Sequence, residues 1–147
     1  MQSRLTLICA TVALLLTLCA CSPTTEVSAP EQATVEVSCD DFTESQHINR
    51  EVEVAVDGSL TVTLCSNPTT GFQWLESPQI GDQTVLQQTA HERISPESEP
   101  PPGTPGQEIW TFEALKKGTT DVSMEYSRLW EGGEKGEWTF DLTVVVK

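Results

Sequence analysis

Positive charge is scarce in this chain. Its 8 lysine and arginine residues stand against 22 acidic residues, and the formal net charge at pH 7 is −14. A protein that binds nucleic acid needs a cationic surface to displace the counterions of the phosphates, and no segment here supplies one. The composition therefore excludes nucleic acid as a partner, and it favours a soluble domain.

The sequence also lacks the motifs of the common hydrolases. It has no Gly-x-Ser-x-Gly elbow and no histidine spacing suited to a metal, and its two histidines, His47 and His91, are far apart. We interpret both histidines as surface or capping residues and the acidic run at 131–137 as a solvated hairpin end. We therefore expect a binding protein that is not an enzyme and that uses no metal and no cofactor.

No apolar run is long enough to cross a bilayer. The longest, residues 5–18, follows Arg4 and is typical of a secretory signal. Leu18 and Ala20 precede Cys21 as in the lipobox of bacterial lipoproteins, and this resemblance implies cleavage after residue 20 and acylation of Cys21. The alternative is an ordinary cleaved signal with Cys21 as a bystander. Two or three acyl chains would hold the protein on the outer face of a bacterial membrane, at the cell surface or in the periplasm.

The chain divides into three predicted segments. Residues 1–20 form a lipoprotein signal peptide, 21–33 an acylated N-terminus with a flexible tether, and 34–147 a single domain of the size of an immunoglobulin-like sandwich. Removal of the signal takes away only Arg4, so 7 basic residues remain against 22 acidic ones and the mature net charge is −15. We expect a monomer.

Helical periodicity is absent from residues 34–147, whereas short alternating apolar runs recur between turn residues. The predicted strands are 35–37, 52–56, 60–64, 72–74, 85–89, 109–115, 122–126 and 138–146. Asp57 and Gly58 separate two of these runs and predict a hairpin, because both residues accept positive φ. We therefore predict an all-β fold, an immunoglobulin-like β-sandwich of about seven to eight antiparallel strands.

Most aromatic residues of the predicted strands alternate with polar neighbours. This spacing places them on the buried face of a sheet, and we predict that they pack in the core. The residues are Trp110, Phe112, Tyr126, Trp138 and Phe140.

Only Cys39 and Cys65 remain as cysteines of the predicted domain. We expect them to pair, since an exported protein meets an oxidising compartment, and such a bond contributes about 3 to 4 kcal/mol in the chain-entropy model. The alternative is a catalytic thiol beside His47 or His91. Neither cysteine lies in a segment that resembles a peptidase nucleophile.

A stiff segment follows the strand predicted at 60–64. Pro68 fixes its own φ and drives Asn67 into an extended conformation, Thr69 and Thr70 are β-branched, and Gly71 permits positive φ. A loop that already has its bound shape loses little entropy on binding, so more of the contact energy appears as affinity. The alternative is a rigid turn that only connects two strands.

Residues 67–74, Asn-Pro-Thr-Thr-Gly-Phe-Gln-Trp, resemble the signature of the chagasin-like inhibitors of papain-family cysteine peptidases. Arg128-Leu129-Trp130 lies where that family has Arg-Pro-Trp, after a similar Phe-x-Ala-Leu-x-x-Gly-Thr-Thr segment at 112–120. Residues 103–106, Gly-Thr-Pro-Gly, take the place of the family's glycine-rich loop, with Pro105 where glycine is usual. The resemblance covers roughly residues 51–147.

The resemblance implies a reversible, tight-binding inhibitor that fills the substrate cleft of a papain-like cysteine peptidase with three loops from one end of the sandwich. The tip at 69–71 would cover the catalytic cysteine, 103–106 would reach one side of the cleft, and Trp130 would pack on the other. The implied contact residues are Asn67, Pro68, Thr69, Thr70, Gly71, Phe72, Gly103, Thr104, Pro105, Gly106, Arg128, Leu129 and Trp130. The alternative is an immunoglobulin-like surface adhesion or carbohydrate-binding module, whose aromatics would lie along a sheet face.

Overall fold

The computed structural model describes residues 28–96, 101 and 103–147. The predicted signal, the predicted acylation site Cys21 and most of the predicted tether lie outside the described residues. The elements are β1 (Gln32–Val37), α1 (Cys39–Glu44), β2 (His47–Val54), β3 (Ser59–Ser66), a 3₁₀ turn (Pro68–Thr70), β4 (Gln73–Trp74), β5 (Gln79–Ile80), β6 (Leu86–Ile94), β7 (Gly106–Ala114), β8 (Gly118–Ser127) and β9 (Trp138–Val146). The first strand therefore begins at Gln32, before the predicted domain start at Thr34.

Two sheets make up the sandwich, which confirms the predicted all-β fold. One has the order β1-β3-β7-β6, and the other has the order β2-β9-β8-β4 with β5 paired to β8. Of the aromatics that were predicted to pack in the core, four are at most 1% exposed: Trp110, Phe112, Tyr126 and Phe140. Trp138 is partly buried, and its ring stacks at 4.8 Å on both Phe42 and Tyr126.

The prediction that the strands are all antiparallel was wrong at two sheet edges. β1 pairs with β3, and β2 pairs with β9, in parallel register. The chain leaves β1 through α1 and runs back as β2 in the opposite sheet before it returns as β3. Because it reverses direction twice, β1 and β3 run the same way and can pair only in parallel.

The predicted hairpin at Asp57 and Gly58 was also wrong. Asp57 has the expected positive φ of 61°, but β2 and β3 lie in different sheets. Val54 and Leu60 are both fully buried, so the two strands bring apolar faces to the same core from opposite sides. The ends of two other strands hold the turn: Val56 N–H donates to Lys147 O at 3.1 Å and Asp57 N–H donates to Ala114 O at 2.8 Å.

The short helix α1 was not predicted. Ser38 begins it with a capping box, in which its Oγ accepts from Asp41 N–H at 3.2 Å and its own N–H donates to Asp41 Oδ2 at 2.8 Å. Phe42 of this helix is fully buried and covers one end of the core. Within the described residues no helix has the length and apolarity that a membrane span requires.

The expected disulfide is confirmed. Cys39, the first residue of α1, is bonded to Cys65 near the end of β3. The bond ties the helix to the strand that leads into residues 67–71. It therefore lies at the base of the loop that carries the predicted contact residues.

Candidate functional site

Strand register brings the three predicted loops to one end of the sandwich. Ser66 at the end of β3 pairs with Gly106 at the start of β7, so residues 67–71 and 103–106 lie at the same end of that sheet. In the other sheet Gln73 of β4 pairs with Ser127 at the end of β8, so residues 128–130 begin beside the first loop. We call residues 67–71 the first loop, 103–106 the second loop and 128–130 the third loop.

Hydrogen bonds inside the first loop fix its shape. The carbonyl oxygen of Asn67 accepts from Thr70 N–H at 3.2 Å and from Thr70 Oγ1 at 2.7 Å, and Thr69 Oγ1 donates to Asn67 Oδ1 at 2.6 Å. Gly71 ends the 3₁₀ turn with a φ of 80°. Pro68, Thr69 and Thr70 are exposed. Since both threonine hydroxyls donate within the loop, they offer a partner their lone pairs as acceptors.

A side-chain amide connects the first loop to the second. Asn67 Nδ2 donates to Gly103 O at 3.0 Å. The second loop has its own turn, in which Thr104 N–H and Oγ1 donate to Pro101 O at 3.1 Å and 2.7 Å. Gly106 is the first residue of β7, so the exposed part of this loop consists of Gly103 and Pro105 with Thr104 half-buried between them.

The third loop packs against the other side of the first. Arg128 Nη2 donates to Thr70 O at 3.4 Å. A methyl group at Gly71 would lie 2.9 Å from Cη2 of Trp130, so a larger residue at this position would displace the indole. Trp130 is nevertheless 54% exposed and Leu129 is 44% exposed. The first loop is thus flanked by both others, and an aromatic ring projects at one side.

Phe72 was predicted to be a contact residue, but it is only 8% exposed. Its ring stacks on Tyr126 with centroids 5.6 Å apart, and the guanidinium of Arg128 lies 4.4 Å from the centroid of the Phe72 ring. Phe72 therefore packs under Arg128 and contributes little to the exposed surface of the free protein. Its assignment as a contact residue stays a prediction.

Tyr126 has a role that the sequence did not reveal. Its ring is core, as predicted, but its hydroxyl oxygen accepts the backbone N–H of Asn67 at 2.7 Å. This hydrogen bond joins β8, which leads into the third loop, to the first residue of the first loop. One side chain therefore fixes the relative position of two loops.

A buried carboxylate lies beneath the first and second loops. Glu108 of β7 is 2% exposed, and its oxygens accept from Ser66 Oγ at 2.7 Å, share a hydrogen bond with His91 Nε2 at 2.9 Å and accept from Arg93 Nε at 3.3 Å. The interpretation of His91 as an isolated surface or capping residue was wrong, since its side chain is only 13% exposed. Ser66 directly precedes the first loop, so the cluster anchors its base.

The described residues contain no group of three or more His, Cys, Asp or Glu side chains that could hold a metal ion. Their exposed large hydrophobic residues are Ile94, Leu115, Leu129 and Trp130. Trp130, the aromatic member of this set, is in a loop and not on a sheet face. This placement does not support the adhesion or carbohydrate-binding alternative.

The sequence model of the family described as Chagasin family peptidase inhibitor I42 matches residues 53–144, which is more than half of the chain. The chain belongs to this family of peptidase inhibitors. The match spans the first loop, the second loop and the third loop. No curated protein sequence matches the chain.

Among the solved structures that resemble the fold are the following three. EhICP2, a cysteine protease inhibitor from Entamoeba histolytica, is 21% identical with a TM-score of 0.60, and the match covers 81% of this chain and all of EhICP2. The solution structure of amebosin is also 21% identical with a TM-score of 0.52, over 79% of this chain and 98% of its own. PbICP-C, solved in complex with falcipain-2, is 15% identical with a TM-score of 0.50, over 81% of this chain and 92% of its own.

Proposed function

We propose that this chain is a reversible, tight-binding inhibitor of papain-like cysteine peptidases, and that its first, second and third loops together occlude the active-site cleft. The family match and the likeness to EhICP2 and PbICP-C support the class of protein and of target. The likeness to the solved structures concerns the fold, and the loop mechanism rests on this chain's own geometry.

The proposed mechanism depends on one observation. The first loop is hydrogen-bonded to both neighbours, through Asn67 Nδ2 to Gly103 O and through Arg128 Nη2 to Thr70 O. Three loops that are distant in sequence therefore form one continuous surface, which is ordered before any partner binds. Since little loop entropy remains to be lost on association, such a surface is suited to tight binding.

The shape of the tip favours inhibition over cleavage. Hydrolysis requires a scissile carbonyl that is aligned with the nucleophile at about 3 to 3.5 Å. Residues 68–70 instead form a 3₁₀ turn, which Gly71 N–H closes by donating to Pro68 O at 3.1 Å. The turn would have to unfold before one of its peptide bonds could lie extended in a cleft. The enzyme would therefore be blocked by the folded tip without bond breakage.

The test is a titration of the soluble chain, residues 22–147, against papain or a cathepsin L-type enzyme. We expect reversible inhibition that is competitive with substrate. Trp130→Ala should weaken it by about 2 kcal/mol, which is about thirtyfold in the inhibition constant, because a desolvated tryptophan is a typical hot-spot residue. Thr70→Glu should weaken it further, because it places a charge at the tip. If the unaltered chain leaves both enzymes fully active, the proposed function is wrong.

We further propose that the protein is exported and anchored by lipid on Cys21, on the outer face of a bacterial membrane. The sequence Leu-Cys-Ala-Cys at 18–21 supports acylation, and the Cys39–Cys65 disulfide is consistent with an oxidising compartment. In bacterial cells, the unaltered protein should fractionate with membranes and Cys21→Ala should not. Equal fractionation of the two proteins would contradict lipid anchoring.

A further inference from the structure

The turn at residues 131–137 makes contacts that a simple solvated connection would not need. It follows the third loop and folds back beneath it. Lys135 Nζ donates to the carbonyl oxygens of Arg128 and Trp130, the latter at 3.3 Å. The first and last residues of the third loop are therefore held by one ammonium group.

Backbone hydrogen bonds add to this connection. Arg128 N–H donates to Glu134 O at 2.8 Å, and Gly133 N–H donates to Trp130 O at 3.0 Å. At the far end of the turn, Gly136 N–H donates to Ser127 Oγ at 2.8 Å. The turn is thus bonded to Ser127, Arg128 and Trp130, which include the last residue of β8 and both ends of the third loop.

The packing between the turn and the third loop is tight. A methyl group at Gly133 would lie 2.6 Å from Arg128 O and 3.1 Å from Trp130 Nε1. Gly133 is not among the residues with positive φ, so this position requires glycine because of close approach and not because of its backbone conformation. The backbone of the turn lies directly against the third loop.

Support from the turn matters for the third loop because two of its three residues are largely exposed. Leu129 is 44% exposed and its φ is not restricted by a ring, and Trp130 is 54% exposed. A charged donor that bridges two carbonyl groups limits the backbone freedom of the residues between them. Hydrogen bonds that involve an ionised donor are also stronger than those between neutral groups.

We propose that residues 131–137 act as a brace that holds the third loop in its binding shape, and that Lys135 is the positioning residue of this brace. Lys135 acts through Arg128 and Trp130 and need not touch the peptidase. This inference rests on the proposed function for its effect on inhibition, whereas its effect on loop order concerns the inhibitor alone.

The experiment compares Lys135→Ala with Lys117→Ala in the soluble chain, residues 22–147. Lys117 is exposed in the turn between β7 and β8, at the opposite end of the sandwich, so the control loses the same charge away from the loops. Hydrogen exchange at the amides of Arg128 and Gly133 is measured by NMR on the inhibitor alone. The inhibition constant for papain and the thermal unfolding midpoint are measured in parallel.

We expect Lys135→Ala to exchange about threefold to tenfold faster at these two amides and to raise the inhibition constant by a similar factor, since a charge-assisted hydrogen bond has been removed. Its unfolding midpoint should match that of Lys117→Ala. Leu129→Pro in the Lys135→Ala background should recover most of the lost inhibition, because proline restricts the same segment. This rescue would not occur if Lys135 contacted the enzyme.

Lys135→Ala with exchange rates equal to those of Lys117→Ala would overturn the brace. So would faster exchange together with an unchanged inhibition constant, because the order of the loop would then not matter for binding. Complete lack of inhibition by the unaltered chain is a different result. It would contradict the proposed function, while the exchange rates would still decide whether Lys135 holds the third loop.

Discussion

At the scale of single residues, the loops owe their positions to polar atoms beneath them. The hydroxyl of Tyr126 holds Asn67, and the buried carboxylate of Glu108 holds Ser66, the residue before the first loop. Both acceptors are at most 2% exposed, so competing water is largely excluded. Such buried hydrogen bonds specify one geometry because the alternative is an unsatisfied polar group.

The substitution Tyr126→Phe removes only the hydroxyl that holds Asn67. The aromatic ring remains, so the core keeps its packing, but the partly buried N–H of Asn67 loses its acceptor. The loss should lower the free energy of unfolding by about 1 to 2 kcal/mol. It should also raise the inhibition constant, because the first loop is less well fixed. Urea unfolding and a papain titration measure the two effects.

The control for this prediction is Ser123→Ala, which removes a hydroxyl from the same strand. Ser123 Oγ donates to Asp141 at the surface, so its loss should change the stability by less than about 0.5 kcal/mol. Equal stability of the Tyr126→Phe and Ser123→Ala variants would show that the tyrosine hydroxyl does not fix the loop.

Local sequence predicted some of these residues and could not predict others. Residues 67–71 were identified as a stiff loop because the sequence restricts the backbone there: Pro68 fixes its own φ, Thr69 and Thr70 are β-branched, and Gly71 permits the positive φ that ends the turn. Glu108 was missed because its partners Ser66, His91 and Arg93 lie on other strands. No local sequence pattern predicts a cluster of this kind. Phe72 was placed with the contact residues because its neighbours are in the loop, whereas its ring points into the core.

At the scale of elements, period-two apolar runs predicted at least part of eight strands, since a half-buried strand must alternate. They missed β5, the first residues of β2 and the last residues of β6. They could not show which strands pair. The run from 52 to 56 and the run from 60 to 64 look like a hairpin, yet they lie in opposite sheets because both apolar faces are needed in one core. Helix α1 has six residues, too few for a helical period, and its one local signal is the capping pair Ser38 and Asp41.

The capping pair makes α1 sensitive to acid. Hydrogen bonds from the side chain and backbone of Ser38 hold the pKa of Asp41 below its ordinary value of 3.8. A lowered carboxyl pKa adds stability above the ordinary value and loses it as the pH falls through the folded-state value. The contribution of the cap is therefore constant at neutral pH and should not affect inhibition there.

The disulfide gives a prediction at the same scale. Cys39 and Cys65 are separated by 26 positions, and their bond ties α1 to β3. Replacing both cysteines with alanine should lower the free energy of unfolding by about 3 to 4 kcal/mol in the chain-entropy model. Urea unfolding checks this value, and the unaltered chain in excess dithiol should give the same midpoint. Equal stability of the oxidised chain and the double variant would contradict it.

At the scale of the whole molecule, the sandwich has two different ends. One carries the first, second and third loops together with α1, and the other carries the turns at 55–58 and 115–117. Between one of these loops and the next, the chain runs to the opposite end of the sandwich, reverses direction there and runs back. All three loops therefore lie at the same end. The predicted motifs and their order could therefore indicate the proposed binding end, while the hydrogen bonds that unite the loops became visible only in three dimensions.

The proposed function requires that one end of the sandwich binds the peptidase. It is tested most directly by amide hydrogen exchange along the soluble chain, with and without a papain-like peptidase whose catalytic cysteine is replaced by alanine. We predict that added protection is confined to residues 67–71, 103–106 and 128–130 and their immediate neighbours, with no change at 55–58 and 115–117. Protection at the opposite end, or along a sheet face with the three loops unchanged, would show that the peptidase does not bind through these loops.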